Sequence, residues 1–403
     1  MQTAVKAKLS VMMFLEFFIW GGWFVTMGTF MAQRFGASGA ETGMAYETQS
    51  IGAIIAPFII GLIADRYFSA QKILGVLHLV GAVMMYMASI AEDFSSFYPF
   101  ILGYMIIYMP TLALVNSVAF RQMSDPTKEF GVIRVLGTIG WIAAGLVISF
   151  LGWEASQSLA NTFMMTAFCS GLLGVYSFFL PDTPPSGKGQ KAASVSEILG
   201  LDALALLKDR QFAVFFISSI LICIPLAFYY QNANLFLNEI GVSNAAGKMT
   251  LGQVSEVLFM LLIPVFLGKF GIKKTLIVGM LAWVIRYVLF AFGDADGKFF
   301  MLLLGIILHG ICYDFFFVSG QIYTDFKAGP KVKSAAQGLI TLATYGLGML
   351  VGFRLAGKVT DMNALEPGSH DWQQIWIVPA GIAVLVLLGF ILSFREEKIT
   401  EKA

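Results

Sequence analysis

A few ionisable residues sit where this sequence is otherwise apolar: Glu16, Glu47, Arg134, Glu256, Arg286, Asp314, His309 and Arg354. The segment ILHGICYDFFFVSG, Ile307 to Gly320, shows the problem most sharply. It carries His309 and Asp314, with Lys298 the one charged residue in the roughly fifteen positions before the aspartate. In the middle of a membrane helix a charge costs at least about 2.5–3.5 kcal/mol, so such groups face a polar cavity or one another. Glu47 and Arg354 lie near the ends of their runs, where snorkelling reaches water. A buried carboxyl whose affinity for protons is raised can load a proton on one side and release it on the other.

The neighbours of these charges fall on common helix faces. In RVLGTIGW, Arg134, Thr138 and Trp141 are spaced i, i+4, i+7 and make a stripe of guanidinium, hydroxyl and indole. That stripe either lines a ligand cavity or lets Arg134 snorkel to the cytoplasmic edge. In LGQVSEVLF, Gln253 and Glu256 share a face, and Glu256 either faces the cavity or bonds a neighbouring helix. His309 and Tyr313 share a face, His309 serving as a ligand contact or as a packing residue. Asp314 is turned about 100° from Tyr313 and stands above Gly310, where a missing side chain leaves room for a close partner. In LAFYYQNANLF, after the helix-loosening Pro225, the residues Tyr229, Tyr230, Gln231, Asn232 and Asn234 make an aromatic and amide patch. It suits a flat, hydrogen-bonding ligand such as a nucleobase, or an interfacial aromatic belt.

The elements that must position these groups are transmembrane helices. Apolar residues make up 58% of 403, charged residues only 13%, and phenylalanine occurs 37 times; mean hydropathy is +0.78. This excludes a soluble globular domain and defines an all-α polytopic membrane protein. A helix of about twenty apolar residues spans the bilayer. On that measure there are twelve spans, at 9–32, 43–64, 72–92, 96–119, 132–152, 160–180, 212–237, 249–268, 274–293, 299–323, 334–355 and 373–394. The first, which contains Glu16 and lacks a small-residue cleavage site, reads as a retained helix rather than a signal peptide. Cys169, Cys223 and Cys312 all fall in apolar runs with no metal-like spacing and read as packing residues.

Lysine and arginine set the orientation. Lys6, Lys8, Arg66, Lys72, Arg121, Lys128, Lys188, Lys191, Lys208, Arg210, Lys269, Lys273, Lys274 and Lys327, with the basic C-terminal tail, all fall on one side. The other side holds chiefly Arg34, Lys248, Lys298 and Lys358. Both termini are therefore expected in the cytoplasm. One long polar linker, PDTPPSGKGQKAASVSEILGLDALALLKDRQ, divides an N-terminal half, 1–181, from a C-terminal half, 212–403. The linker covers 182–211, and a short interfacial helix is expected around Leu199 to Leu207.

The halves echo each other. GLIADRYFSAQK follows span two and PVFLGKFGIKK follows span eight, each a small-residue helix end leading into a basic turn. Six plus six spans with a matched basic loop is the pattern of the major facilitator superfamily. Gly61, Asp65 and Arg66 match the loop motif of that superfamily, whereas Phe68 replaces its glycine. Asp65 and Arg66 are read as gating residues that hold one conformation at the cytoplasmic seam. Positive-inside topology alone accounts for the basic residues but not for Asp65.

The assembled motifs resemble the nucleoside:proton symporter branch of the major facilitator superfamily almost end to end. The strings that carry the resemblance are FIWGGWFV, LIADRYFSAQK, YMPTLALVNS, IRVLGTIGWI, LGLDALAL, FGIKK, YDFFFVSG and SAAQGL; PLAFYY and MTLGQ are shared with its less characterised nucleoside-transporter members. The resemblance implies that Arg134, Thr138, Trp141, Gln253, Glu256, Tyr313 and Asp314 contribute to the ligand and coupling site. It departs where His309 replaces an aromatic, and where Ala227 and Tyr230 stand in place of a Gln-x-x-Asn pair.

The expected activity is import of nucleosides or related ribosyl compounds with protons, by rocking of two halves around a central site. The substrate contacts would be Arg134, Thr138, Trp141, Tyr229, Tyr230, Gln231, Gln253, His309 and Tyr313. The proton-coupling carboxyls would be Asp314, Glu256 and Glu16, with Arg134 as counter-charge. The expected setting is a monomer in the lipid bilayer of a bacterial inner membrane, with no cofactor, no metal and no nucleic-acid partner. The sequence has no phosphate-binding loop for an ATP-driven pump and no nucleophile set for an enzyme. Transport of a sugar or another small polar metabolite, or ligand sensing without transport, are the rival readings.

Overall fold

In the computed structural model, the structure describes residues 2–60, 67–185, 194, 201–366 and 368–396. Each of the twelve apolar runs lies on helix within those residues. Among the described residues, eight helices are long and apolar enough to cross a membrane by length and composition. The hydropathy that drives this is visible on the outside. Phe150 is 89% and Leu392 84% exposed, as suits side chains that face hydrocarbon instead of water.

Helix ends follow local chemistry. Asp93 caps Phe94–Arg121 by accepting from the Ser96 backbone N–H at 2.7 Å, and the Ser96 hydroxyl accepts in return from Asp93 N–H. Asp209 accepts from the backbone of Gln211 and Phe212 at the start of Arg210–Glu239. Run one is two helices, Thr3–Gly21 and Met27–Phe35, joined by turns after the tandem glycines Gly21 and Gly22. Hydropathy alone reads this as one uninterrupted segment because the turn residues are as apolar as the helices. Runs eight and nine meet in Ile263–Phe292, which breaks at Gly271 with φ at 78°. The linker contributes a 3-10 helix, Leu201–Lys208, whose Ala203 packs on Ala336 and Leu339. Asp65, Arg66, Lys188 and Lys191 lie outside the described residues.

Two compact units are present. Unit 1 comprises Met1–Ala37, Ala45–Ser194 and Asn244–Thr250. Within it, Ala70–Ser89 packs along Ala160–Ser177 and Thr3–Gly21 along Pro126–Phe150. The second pairing is very close: a Cβ on Gly140 would run into the Phe14 carbonyl oxygen, and one on Gly137 would lie 2.6 Å from the Phe17 ring. Unit 2 comprises Ser38–Met44, Val195–Ser243 and Leu251–Ala403. There Ile263–Phe292 packs along Trp372–Ser393, and Arg210–Glu239 along Met349–Met362. Lys327 pairs with Asp209 at 2.8 Å and Lys333 with Asp325 at 2.7 Å. A two-strand hairpin, Ala364–Glu366 with Ser369–His370, precedes the last helix.

Candidate functional site

In unit 2, span ten changes its helical winding at the aspartate of interest. His309–Tyr313 is α-helical, and Asp314–Val318 is a wider turn with i to i+5 bonding. Span eleven contains a second such turn, Leu342–Gly348. Wide turns of this kind inside membrane helices are commonly functional. The two are tied together, since the Tyr313 and Tyr345 hydroxyls hydrogen-bond at 2.5 Å.

Asp314 is fully buried, and neither carboxyl oxygen has a hydrogen-bond partner among the described residues. Its neighbour is a second carboxylate. Gly310 allows this, because a Cβ there would lie 2.5 Å from the Ser255 carbonyl carbon and 2.6 Å from Glu256 N. The Gly310 N–H also donates to Ser255 Oγ at 3.0 Å. The partner expected at Gly310 is thus the backbone of span eight, and the contact brings Glu256 within electrostatic reach of Asp314. Tyr230, Tyr313, Tyr345 and Glu256 lie in one electrostatic neighbourhood. Gln253 sits one helical turn before Glu256, half-buried.

His309 belongs to a separate stack. Arg286, with no exposed surface, holds its guanidinium 3.5 Å from the Tyr229 ring centroid. The Tyr229 and His309 rings stack at 5.4 Å and 27°. Arg286 Nη1 lies 2.9 Å from His309 Nδ1. A guanidinium can only donate, so Nδ1 accepts and the ring hydrogen sits on Nε2. The sequence singled out Arg286 only as a buried charge. Its role in fixing the His309 ring depends on a partner 23 positions away, which no local spacing shows.

The aromatic and amide patch of span seven divides. Tyr230 stays half-buried, whereas Tyr229 and Gln231 are buried. With its amide oriented to satisfy both ends, Gln231 donates to the Phe353 carbonyl at 3.1 Å and accepts from Gly357 N–H at 3.2 Å. Asn232 donates to Thr360 Oγ1 at 3.1 Å. Both amides therefore bind span seven to span eleven. Ala227, at one of the positions where the resemblance expects an amide, is fully buried against Gly352.

In unit 1 the stripe on span five is half-buried at Arg134, Thr138 and Trp141. The Arg134 guanidinium lies 4.1 Å over the Phe17 ring, a cation–π contact. Trp141 meets Trp20 edge-on at 5.4 Å, and Trp20 in turn meets Tyr108 at 5.8 Å. Glu16 is fully buried and bonded to His78 Nε2 at 2.8 Å and to the Thr111 hydroxyl at 2.6 Å. Neither His78, Trp20 nor Tyr108 was selected as a functional residue from the sequence. Trp20 and Tyr108 carried a signal, in FIWGGWFV and YMPTLALVNS; His78 carried none. Glu47 is also buried, at 4% exposure, so its expected route to water by snorkelling is closed.

A chain of apolar helices with buried carboxyls on interrupted helices, and with cationic and aromatic stripes on others, is a membrane transporter of the major facilitator class. Residues 1–399 match the family described as Nucleoside H+ symporter. The chain belongs to that family. YegT of Escherichia coli (strain K12), a candidate nucleoside transporter, is 46% identical over 97% of this chain and 94% of its own length. The xanthosine permease of the same organism is 35% identical over 99% of each chain. The crystal structure of the nucleoside transporter NupG superposes with a TM-score of 0.88 at 32% identity, over 98% of this chain and all of that one.

Proposed function

We propose that this protein imports nucleosides together with protons, by alternating access, across a bacterial inner membrane. The observation that carries the reading is Asp314: a carboxyl with no exposed surface and no partner among the described residues, beside a second carboxyl, on an interrupted helix. An ionised group in that setting is strongly disfavoured, so the geometry suits a carboxyl that carries a proton in this conformation and loses it in another. Glu256 is the adjacent charge against which that loss is set. Membership of the family, and the nucleoside substrates named for its relatives, supply the ligand class.

In this reading Arg134, Thr138 and Trp141 in unit 1 contact the ligand, as do Tyr230, Gln253 and Tyr313 in unit 2. Tyr229 and His309 shape the wall of the unit 2 site through the Arg286 stack. Residues 1–181 and 212–403 act as two halves joined by the linker, both termini are cytoplasmic, Asp65 and Arg66 gate, and the protein works as a monomer. The test is uptake of radiolabelled uridine into cells expressing the protein, with and without a protonophore. Protonophore-sensitive accumulation supports the reading. Accumulation unaffected by Asp314→Asn and by Glu256→Gln contradicts it.

A further inference from the structure

The hydrogen bonds around Glu16 permit a count of protons. The Ser170 hydroxyl donates to the His78 carbonyl at 2.9 Å, which spends its only hydrogen. Its oxygen also lies 3.1 Å from His78 Nδ1, so Nδ1 must donate to it and carries a hydrogen. On the far side of the ring, His78 Nε2 lies 2.8 Å from Glu16 Oε2. A bare Nε2 and a carboxylate oxygen are both acceptors. At that separation one proton must lie between them, on the carboxyl or on the imidazole.

Both arrangements have the same net charge, and the proton moves less than the 2.8 Å between the two atoms in passing from one to the other. Its complete loss leaves two acceptors facing each other with a net negative charge, in a place where Glu16 is fully buried and His78 is 2% exposed. The groups that face the pair are few. Thr111 on span four offers its hydroxyl to Glu16 Oε1, sharing it with the Tyr108 carbonyl. Tyr108 itself donates to the Glu16 backbone carbonyl at 2.8 Å, and Tyr104 stacks on Tyr108 at 5.4 Å. Among the described residues, Arg134 on span five places a cation within reach, its charge acting on Tyr108. Arg134 is thus linked to the pair through Tyr108, which donates to the Glu16 backbone carbonyl. A contiguous path, Glu16 to Tyr108 to Trp20 to Trp141, leads from the pair to the aromatic end of the Arg134 stripe.

We propose that Glu16 and His78 form a second proton-binding site, lying wholly in unit 1, whose single exchangeable proton is released and regained in each transport cycle. This rests on the reading of the chain as a proton-coupled transporter, and it assigns His78 a part in coupling distinct from the Asp314 site in unit 2. The pair would report on whatever occupies the Arg134 stripe, since a ligand that covers or displaces the Arg134 charge changes the balance that holds the proton.

The chain has only three histidines, His78, His309 and His370, so nitrogen-15 NMR of imidazole-labelled protein in lipid nanodiscs can follow each ring in the intact molecule. His78→Gln serves to assign its signals. The expected result is that the His78 signals pass between two protonation states as pH is varied, that uridine shifts the midpoint, and that Glu16→Gln removes the transition. His78 signals that stay in one state across the pH range of uptake, with and without uridine, overturn the proposal, and this holds even if the Glu16 variant fails to fold. In transport, Glu16→Gln should lower protonophore-sensitive accumulation by at least about tenfold and remove one ionisation step from the pH profile of uptake. Wild-type-like accumulation and pH profile in Glu16→Gln overturn this proposal alone. Wild-type uptake that ignores the protonophore overturns both this proposal and the functional reading beneath it.

Discussion

A carboxyl group sealed among aromatic and aliphatic side chains is stable only if it is neutral or paired, and Asp314 is unpaired among the described residues. Asparagine has nearly the same shape and cannot release a proton. Asp314→Asn should therefore fold with unchanged or slightly raised thermal stability, while proton-driven uridine accumulation falls at least about tenfold. Thermal unfolding and vesicle uptake measured on the same preparation check both halves of that expectation. Gly310 makes the carboxyl pair possible, because the span-eight backbone occupies the space a side chain would need. Gly310→Ala should cost about 1–3 kcal/mol by overpacking, seen as a lower unfolding temperature, and should move Glu256 away from Asp314. At this scale the sequence was partly legible. A charge in an apolar run stands out by itself, which is how Asp314, Glu256, Glu16 and Arg286 were found. Partners do not stand out: His78 lies 62 positions from Glu16, and no spacing rule connects them. Gln231 meets the same limit, since an amide beside tyrosines looks the same whether it meets a ligand or the backbone of the next helix.

Helices carry these residues through interruptions rather than through regularity. Span seven keeps Pro225, and the Tyr287 hydroxyl bonds the proline carbonyl, so the loosened turn is braced from span nine. Pro225→Ala should stiffen this helix, leaving stability equal or higher and slowing uridine uptake, which stopped-flow uptake rates would show. Span four starts at the reciprocal Asp93–Ser96 cap, outside the membrane-spanning part of the helix. The Ser96 backbone N–H, helped by its hydroxyl, holds the Asp93 carboxyl below the usual carboxylate range. Its contribution is therefore present above that range and fades as pH falls through the lowered value. Asp93→Ala should slightly lower the unfolding temperature near neutral pH, and the difference from wild type should vanish in acid. Periodicity and hydropathy revealed the spans because lipid imposes one requirement on every helix. They did not reveal the turns after Gly21 and Gly22 in span one, nor the wide turns at Asp314 and Leu342, because those are decided by packing between helices and leave composition unchanged.

For the whole molecule, the asymmetry of lysine and arginine makes a topological prediction. A cysteine introduced at Ser194, in the linker, should react with an impermeant maleimide only when the inner face is open to the reagent. One introduced at Ser156, in the turn after span five, should react from outside intact cells. The opposite pattern would invert the assigned orientation. The central claim, nucleoside import coupled to proton entry, is tested most directly by adding uridine to sealed proteoliposomes containing a pH-sensitive dye, with no other gradient imposed. The account predicts saturable acidification of the lumen in wild-type vesicles, absent with Asp314→Asn. Uridine entry at normal rates with no change in internal pH would contradict it.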